Sequence, residues 1–163
     1  HDSHGIGMIP RYVESLKEGG LTPNAHVGID LDSNALLRLN GNQAYGQVAG
    51  YEAMELGAER AKRHGVCVVG LSNAHHIGRI GHWAEQCAAA GMVSVHFVNV
   101  ADHAPLQAPY GCSDSRLGTN PFAIGVPGAT FVTITSPVAR LKSTCASAGE
   151  TVPICQSNPS WAS

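Results

Sequence analysis

VCVVGLSNAHHIGRIG, residues 66–81, is the stretch on which the fold turns. Its β-branched apolar run, Val66, Cys67, Val68 and Val69, predicts a strand buried on both faces, as in a parallel sheet. The run ends in a small polar turn and sets His75 and His76 side by side ahead of a helix. Ligands of open α/β sheets settle at the carboxyl ends of strands, so this turn is the expected place of chemistry.

Working outward, HWAEQCAAAG predicts a helix with Trp83, Cys87 and Ala90 inward and Gly91 at its end, and GMVSVHFVNV a second buried strand. Strand, helix and strand within 66–100 predict a βαβ-like unit, with parallel pairing and a right-handed crossover if both strands share a sheet. On the other side, a long helix is expected from Tyr45 to Arg63. Val48, Ala49, Met54, Leu56 and Ala61 lie on or near one stripe, Lys62, Arg63 and His64 suit the carboxyl end, and Gly65 stops it. Its internal glycines count as modest helix penalties. Val27, Ile29 and Leu31 alternate, turn at residues 32–34 and return through Leu36, Leu37 and Leu39, which predicts a hairpin. PRYVESLKEGG predicts a short helix closed by Gly19 or Gly20 and packed by one face that carries Tyr12, Val13 and Leu16. After Val100 comes a proline- and glycine-rich loop, and loops this long in compact domains are mostly functional. Strands are expected in PFAIGVP and FVTITSPVAR, and the final Ser-, Thr-, Cys- and Pro-rich residues show no clear period.

The bulk properties narrow the partners. In 163 residues, 44% apolar and 13% charged, one globular domain is the expectation. A formal charge of -2 with only 10 Lys plus Arg offers no footprint for nucleic acid or an anionic membrane. A small-molecule partner is expected instead. There is neither a bilayer-length apolar run nor a signal-peptide pattern, so a cytoplasmic protein is expected. Cysteines 67, 87, 112, 145 and 155 contain no CxxC, which disfavours a disulfide framework or a four-thiolate zinc site. The polar start HDSHG looks like the continuation of a longer chain.

Of the two adjacent histidines, regular strand or helix geometry would let only one face a given target. An imidazole with a pKa near 6.5 suits proton transfer at neutral pH, with a hydrogen-bonding role in the turn as the plainer alternative. His1, His4, His75, His76, His82 and His103 could in principle ligate a metal, but HExxH and His-x-His are missing and no metal ligand is assigned. Neither GxGxxG nor GxxxxGK[ST] occurs, so a nucleotide would be held by other means. GTNP, residues 118–121, could turn amides toward an anion, and Arg116 could pair a carboxylate.

Three collinear blocks carry a family resemblance: DSHGIGMIPRYVESLKEGGLTPN, then GYEAMELGAERAKRHGVCVVGLSNAHHIGRIGHWAEQCAAAGMVSVHFVNV, then APYGCSDSRLGTNPFAIGVP. Together they resemble the type 2 malate/L-lactate dehydrogenase family, which includes sulfolactate, ureidoglycolate and diketogulonate oxidoreductases. The resemblance spans most of residues 1–127, and the order and spacing of SHG, the histidine before an aromatic-Gly step, and GTNP carry its specificity. It implies a mixed α/β sheet with flanking helices, the L-sulfolactate dehydrogenase-like, non-Rossmann NAD-binding fold, here incomplete. It also implies hydride transfer between NAD or NADP and a small 2-hydroxy or 2-keto acid, in a homodimer with the site near the subunit interface.

Position by position, the resemblance implies His76 and His4 as the acid/base pair and sets His76 ahead of His75, where relatives carry Ser or Asn. Substrate would meet Ser3, Arg116 and Asn120, and the cofactor Val100, Val132, Thr133, Ile134, Thr135 and Ser136. Two departures stand out. Met8 replaces an arginine that some relatives carry four residues after the SHG histidine, leaving Arg11 or Arg116 to anchor a carboxylate. In VTITSPVARLK, Thr135, Ser136, Ala139 and Lys142 match the family's cofactor strand, but Val132 and Leu141 replace its acidic residue and glycine. The implied layout is an amino-terminal helical remnant (1–24), a cofactor- and substrate-binding core (25–136) and a divergent, truncated tail (137–163). An inactive remnant of such an enzyme and a histidine-dependent metal hydrolase are the alternatives.

Overall fold

The computed structural model describes residues 4–100, 104–108, 110–111, 113–128 and the backbone of 132–135. Ser3, Ser136 and the tail assigned to 137–163 lie outside the described residues.

The first helix, α1 (Ile9–Glu18), starts after a single 3-10 turn, carries proline in its first turn and ends at Gly19 in the left-handed conformation. A hydrogen bond from the Gly20 N–H to the Ser15 carbonyl (2.8 Å) closes its last turn. Strands β1 (Gly28–Ser33) and β2 (Leu36–Asn40) form the expected antiparallel hairpin. Its turn falls at Asn34-Ala35 and a register shift interrupts β1 between Ile29 and Leu31. As the edge strand, β1 leaves Ile29 and Leu31 half exposed rather than in the core.

The long helix α2 (Gly46–His64) then crosses over to β3 (Val68–Ser72), which pairs parallel to β2. The parallel crossover unit is therefore β2-α2-β3, one step earlier in the chain than the sequence suggests. The expected unit after it does not form. The third helix, α3 (Ile80–Ala89), leads to β4 (Ser94–Phe97) in a separate antiparallel sheet with β5 (Pro121–Gly125) and β6 (Val132–Thr135). Strand β4 pairs with β5 as the edge of its own sheet and, among the described residues, not with β3. Because each sheet has a helix on one side, neither apolar run is buried on both faces. Val66, Val68, Val93 and Val95 are all more than half exposed, whereas Val69 and Leu71 face inward.

Among the described residues, two clusters are packed. Leu37, Leu39 and Ala53 form one with Leu56, Val69 and Leu71, and Ile80, Trp83, Ala84 and Ala123 form the other. Met54 of α2 touches both, and the Cys87 thiol donates to its sulfur at 3.5 Å. Full burial of Leu37 and Leu39 contributes roughly 1.5–3 kcal/mol each. The buried side of α2 is made of Gly46, Ala49, Gly50, Ala53 and Gly57, while Val48 points outward. Its glycines are contact surface rather than mere penalties, since a Cβ at Gly50 would come within 2.7 Å of the Trp83 ring and one at Gly57 within 2.8 Å of Val69.

Candidate active site

The parallel strands β2 and β3 end side by side, and the loops that leave them are laced together. Gly41 donates to the Ser72 carbonyl (2.7 Å), Gln43 to Asn73 (2.8 Å) and His75 to Ala44 (3.1 Å), while the Asn73 side chain donates to that of Asn40 (2.9 Å). This lacing lays the His75-His76 backbone on the first turn of α2, where Gly46 leaves no room for a side chain. A Cβ there would stand 2.2 Å from the His76 carbonyl oxygen. The histidine turn is thus at the carboxyl end of the parallel pair, where the sequence put it.

Helix α1 covers this turn. The Tyr12 hydroxyl lies 3.2 Å from His76 Nδ1 and accepts a hydrogen bond from Gln47 Nε2 at 2.7 Å. His75 Nε2 reaches Ser15 Oγ at 3.0 Å. Both imidazoles pack on the Tyr12 ring, with centroids 5.4 and 6.4 Å away, and the His4 ring lies 5.4 Å from that of His76. The expectation that neighbouring histidines diverge fails because residues 73–79 are neither strand nor helix: Asn73 and Gly78 have positive φ, which bends the turn so that both rings meet α1. Burial lowers the His76 pKa to about 4, helped by the charges of His4, Arg11 and His75, so the ring is neutral at pH 7. His75 is also lowered, by burial and then by Arg11.

The structure therefore brings together His4 and His76, which the sequence picked, with Tyr12, Gln47 and Arg11. Tyr12 was assigned only to the packing face of its helix. The spacing of Tyr12 and Ser15, three residues apart and hence on one helical face, is the signal that could have marked it. A second group forms where Asn120 Oδ1 accepts from the Val100 N–H at 3.1 Å and Gly118 lies against the Val100 carbonyl. Strand β6, with Val132, Thr133, Ile134 and Thr135, pairs with β5 directly after Asn120. Arg116 instead holds Asp114 at 3.1 Å on an exposed loop. Among the described residues, no group of three His, Cys, Asp or Glu could hold a metal, and Cys67 and Cys87 are free thiols. No helix among them is long and apolar enough to cross a membrane.

The profile of the family described as malate/L-lactate dehydrogenase matches residues 1–153. The chain belongs to the malate/L-lactate dehydrogenase family. Hydroxycarboxylate dehydrogenase B of Escherichia coli O157:H7 is 57% identical over 127 residues, covering 78% of this chain and 35% of the relative. L-lactate dehydrogenase of Cupriavidus necator is 38% identical over 125 residues, covering 77% and 36%. The solved sulfolactate dehydrogenase of Methanocaldococcus jannaschii superposes with a TM-score of 0.73 at 35% identity, covering 86% of this chain and 40% of that one. The solved sulfolactate dehydrogenase shares the mixed α/β fold, and each of these relatives is named a dehydrogenase, so the metal-hydrolase alternative has no support. The chain spans about a third of the length of the curated relatives it matches.

Proposed function

We propose that this chain carries the proton-transfer side of a dehydrogenase that moves a hydride between NAD or NADP and a small 2-hydroxy or 2-keto acid such as malate or lactate. The observation that carries the proposal is the His4, His76 and Tyr12 cluster at the carboxyl end of the parallel strands, in a chain of this family. Oxidising a secondary alcohol requires the hydroxyl proton to leave as hydride leaves the same carbon. His76, neutral and half buried, exchanges that proton, and His4 hydrogen-bonds the same oxygen or the carboxylate. Arg11, whose charge already reaches His76 and His75, is better placed than the Asp114-paired Arg116 to anchor the carboxylate. Ser3 and Asn120 complete the substrate contacts in this proposal.

The neutral edge at Val100, whose N–H is held by the substrate-side Asn120, is chemically suited to a nicotinamide cofactor, and together with 132–136 it would hold one. Bound there, the cofactor would accept or return the hydride. The layout proposed is a helical segment over 1–24, the core over 25–136 and the tail over 137–163. A homodimer belongs to the same proposal, as does a cytoplasmic setting, with which the free thiols accord.

The test is an NADH fluorescence titration of the chain alone and of the chain joined to the remaining segments of the Escherichia coli hydroxycarboxylate dehydrogenase B, followed by turnover with malate and lactate. Binding by both, with turnover by the joined protein, is expected if the core holds the cofactor. Binding by the joined protein alone would make this chain an inactive portion of such an enzyme. Binding by neither would overturn the proposal.

A further inference from the structure

His76 is tied to α2 through a side chain that the proton-transfer proposal leaves without a role. Gln47 stands one residue into α2 and donates its amide N–H to the Tyr12 hydroxyl at 2.7 Å, and that hydroxyl faces His76 Nδ1 at 3.2 Å. A tyrosine hydroxyl has one proton to give, and an amide N–H can only donate. With Gln47 donating to the oxygen, Nδ1 of His76 is the acceptor in line for the phenolic proton. An imidazole that accepts at Nδ1 carries its own proton on Nε2. We propose that Gln47, acting through Tyr12, is a positioning residue that fixes His76 in the Nε2–H tautomer. This rests on the dehydrogenase proposal for its consequence, but not for its geometry.

The consequence concerns the direction of proton flow. When the carbonyl oxygen of a 2-keto acid gains charge during reduction, Nε2 gives its proton to that oxygen and Tyr12 passes its own to Nδ1. His76 stays neutral throughout. The phenolate left behind keeps the Gln47 N–H as donor until Nδ1 returns its proton to it and Nε2 takes one from solvent, which restores the resting tautomer. The other charged or titratable groups around His76, namely His4, Arg11 and His75, all disfavour an imidazolium there, so a relay that never forms one fits the site.

The test reads the tautomer directly, without substrate, cofactor or turnover. Nitrogen-15 spectra of the imidazoles are recorded at pH 7.5 for the chain and for Gln47→Glu, Gln47→Leu and Tyr12→Phe. The unaltered chain should show His76 protonated at Nε2 and bare at Nδ1. In Gln47→Glu the carboxylate accepts the Tyr12 proton, the phenol turns a lone pair toward His76, and the tautomer should invert to Nδ1–H. Gln47→Leu removes one donor without adding an acceptor and should lower the ratio of Nε2–H to Nδ1–H about fivefold, the worth of one ordinary hydrogen bond. Tyr12→Phe should abolish the response to residue 47.

Nδ1–H in the unaltered chain, or a ratio that neither Gln47 variant moves while the amide spectrum stays folded, would overturn the assignment. Should Gln47→Glu fail to fold, Gln47→Leu decides by the same ratio. An inverted tautomer in a chain that never binds NADH would count against the dehydrogenase proposal alone.

Discussion

At the scale of single residues, His76 and His75 make a controlled comparison, because they are adjacent and both pack on Tyr12 but face different partners. In the joined protein, His76→Ala is expected to cut kcat by about 10² to 10⁴, the usual contribution of a positioned acid/base group. His75 is held by Ser15 and is given no role in proton transfer. His75→Ala should therefore change kcat by less than about tenfold while lowering the denaturation midpoint. Steady-state rates beside urea unfolding separate the two, and equal losses in kcat would sink the assignment to His76. Arg11→Ala should raise KM for the acid by roughly 10- to 100-fold with a smaller effect on kcat, the behaviour of a charge-assisted contact made before and during reaction. An unchanged KM would return the anchor to Arg116.

At the scale of elements, α2 couples the core to the site through the atoms its glycines lack. Gly50→Ala would push a methyl into the Trp83 ring and should cost about 1–3 kcal/mol of unfolding free energy with little change in the histidine signals. Gly46→Ala meets the carbonyls of His75 and His76, which are backbone and cannot swing away as a side chain end does. It should cost at least as much and also displace the imidazole resonances of both histidines. Paired urea curves and histidine spectra for the two variants test this, and unmoved resonances in Gly46→Ala would show that the turn is not seated on α2. Hydrophobic periodicity identified α2 and its stop at Gly65, because a 3.6-residue stripe and a left-handed terminus are local properties. It missed the glycine face, because only the identity of the neighbour distinguishes a helix-weakening glycine from one that admits a tryptophan ring.

At the scale of the whole molecule, the half-buried imidazoles shape how stability responds to acid. Burial lowers His76 to about 4 and lowers His75 and His96 as well. In the unfolded chain these rings titrate near 6.5, so between about pH 6.5 and 4 the unfolded state binds more protons than the folded one. The His76 contribution is full above pH 6.5 and is lost as the pH falls toward 4, and His75 and His96 add losses of the same sign below 6.5. Urea midpoints should be flat from pH 8 to 7 and decline steadily below 6.5, and His76→Gln should flatten part of that decline. A midpoint constant down to pH 4.5 would mean that the rings are not buried as described. Glu52 adds to the loss at lower pH. Burial alone would raise its carboxyl, but the His26 ring and the Val27 N–H more than offset this and hold it low.

The sequence by itself determined the helices, the hairpin and the position of the histidine turn, since these depend on periodicity, turn residues and stops carried within a few positions of one another. It also determined the family, through blocks whose order no single motif conveys. Only the tertiary structure decided which strand pairs with which. A run such as Val66–Val69 states that it will pair but not with whom, and β3 found β2 behind it rather than β4 ahead. The site was divided in the same way. His4 and His76 were legible as residues able to carry protons, but Tyr12 and Gln47 became part of it only when α1 and α2 met over the turn, a contact between residues 35 and 64 positions apart that no local pattern encodes.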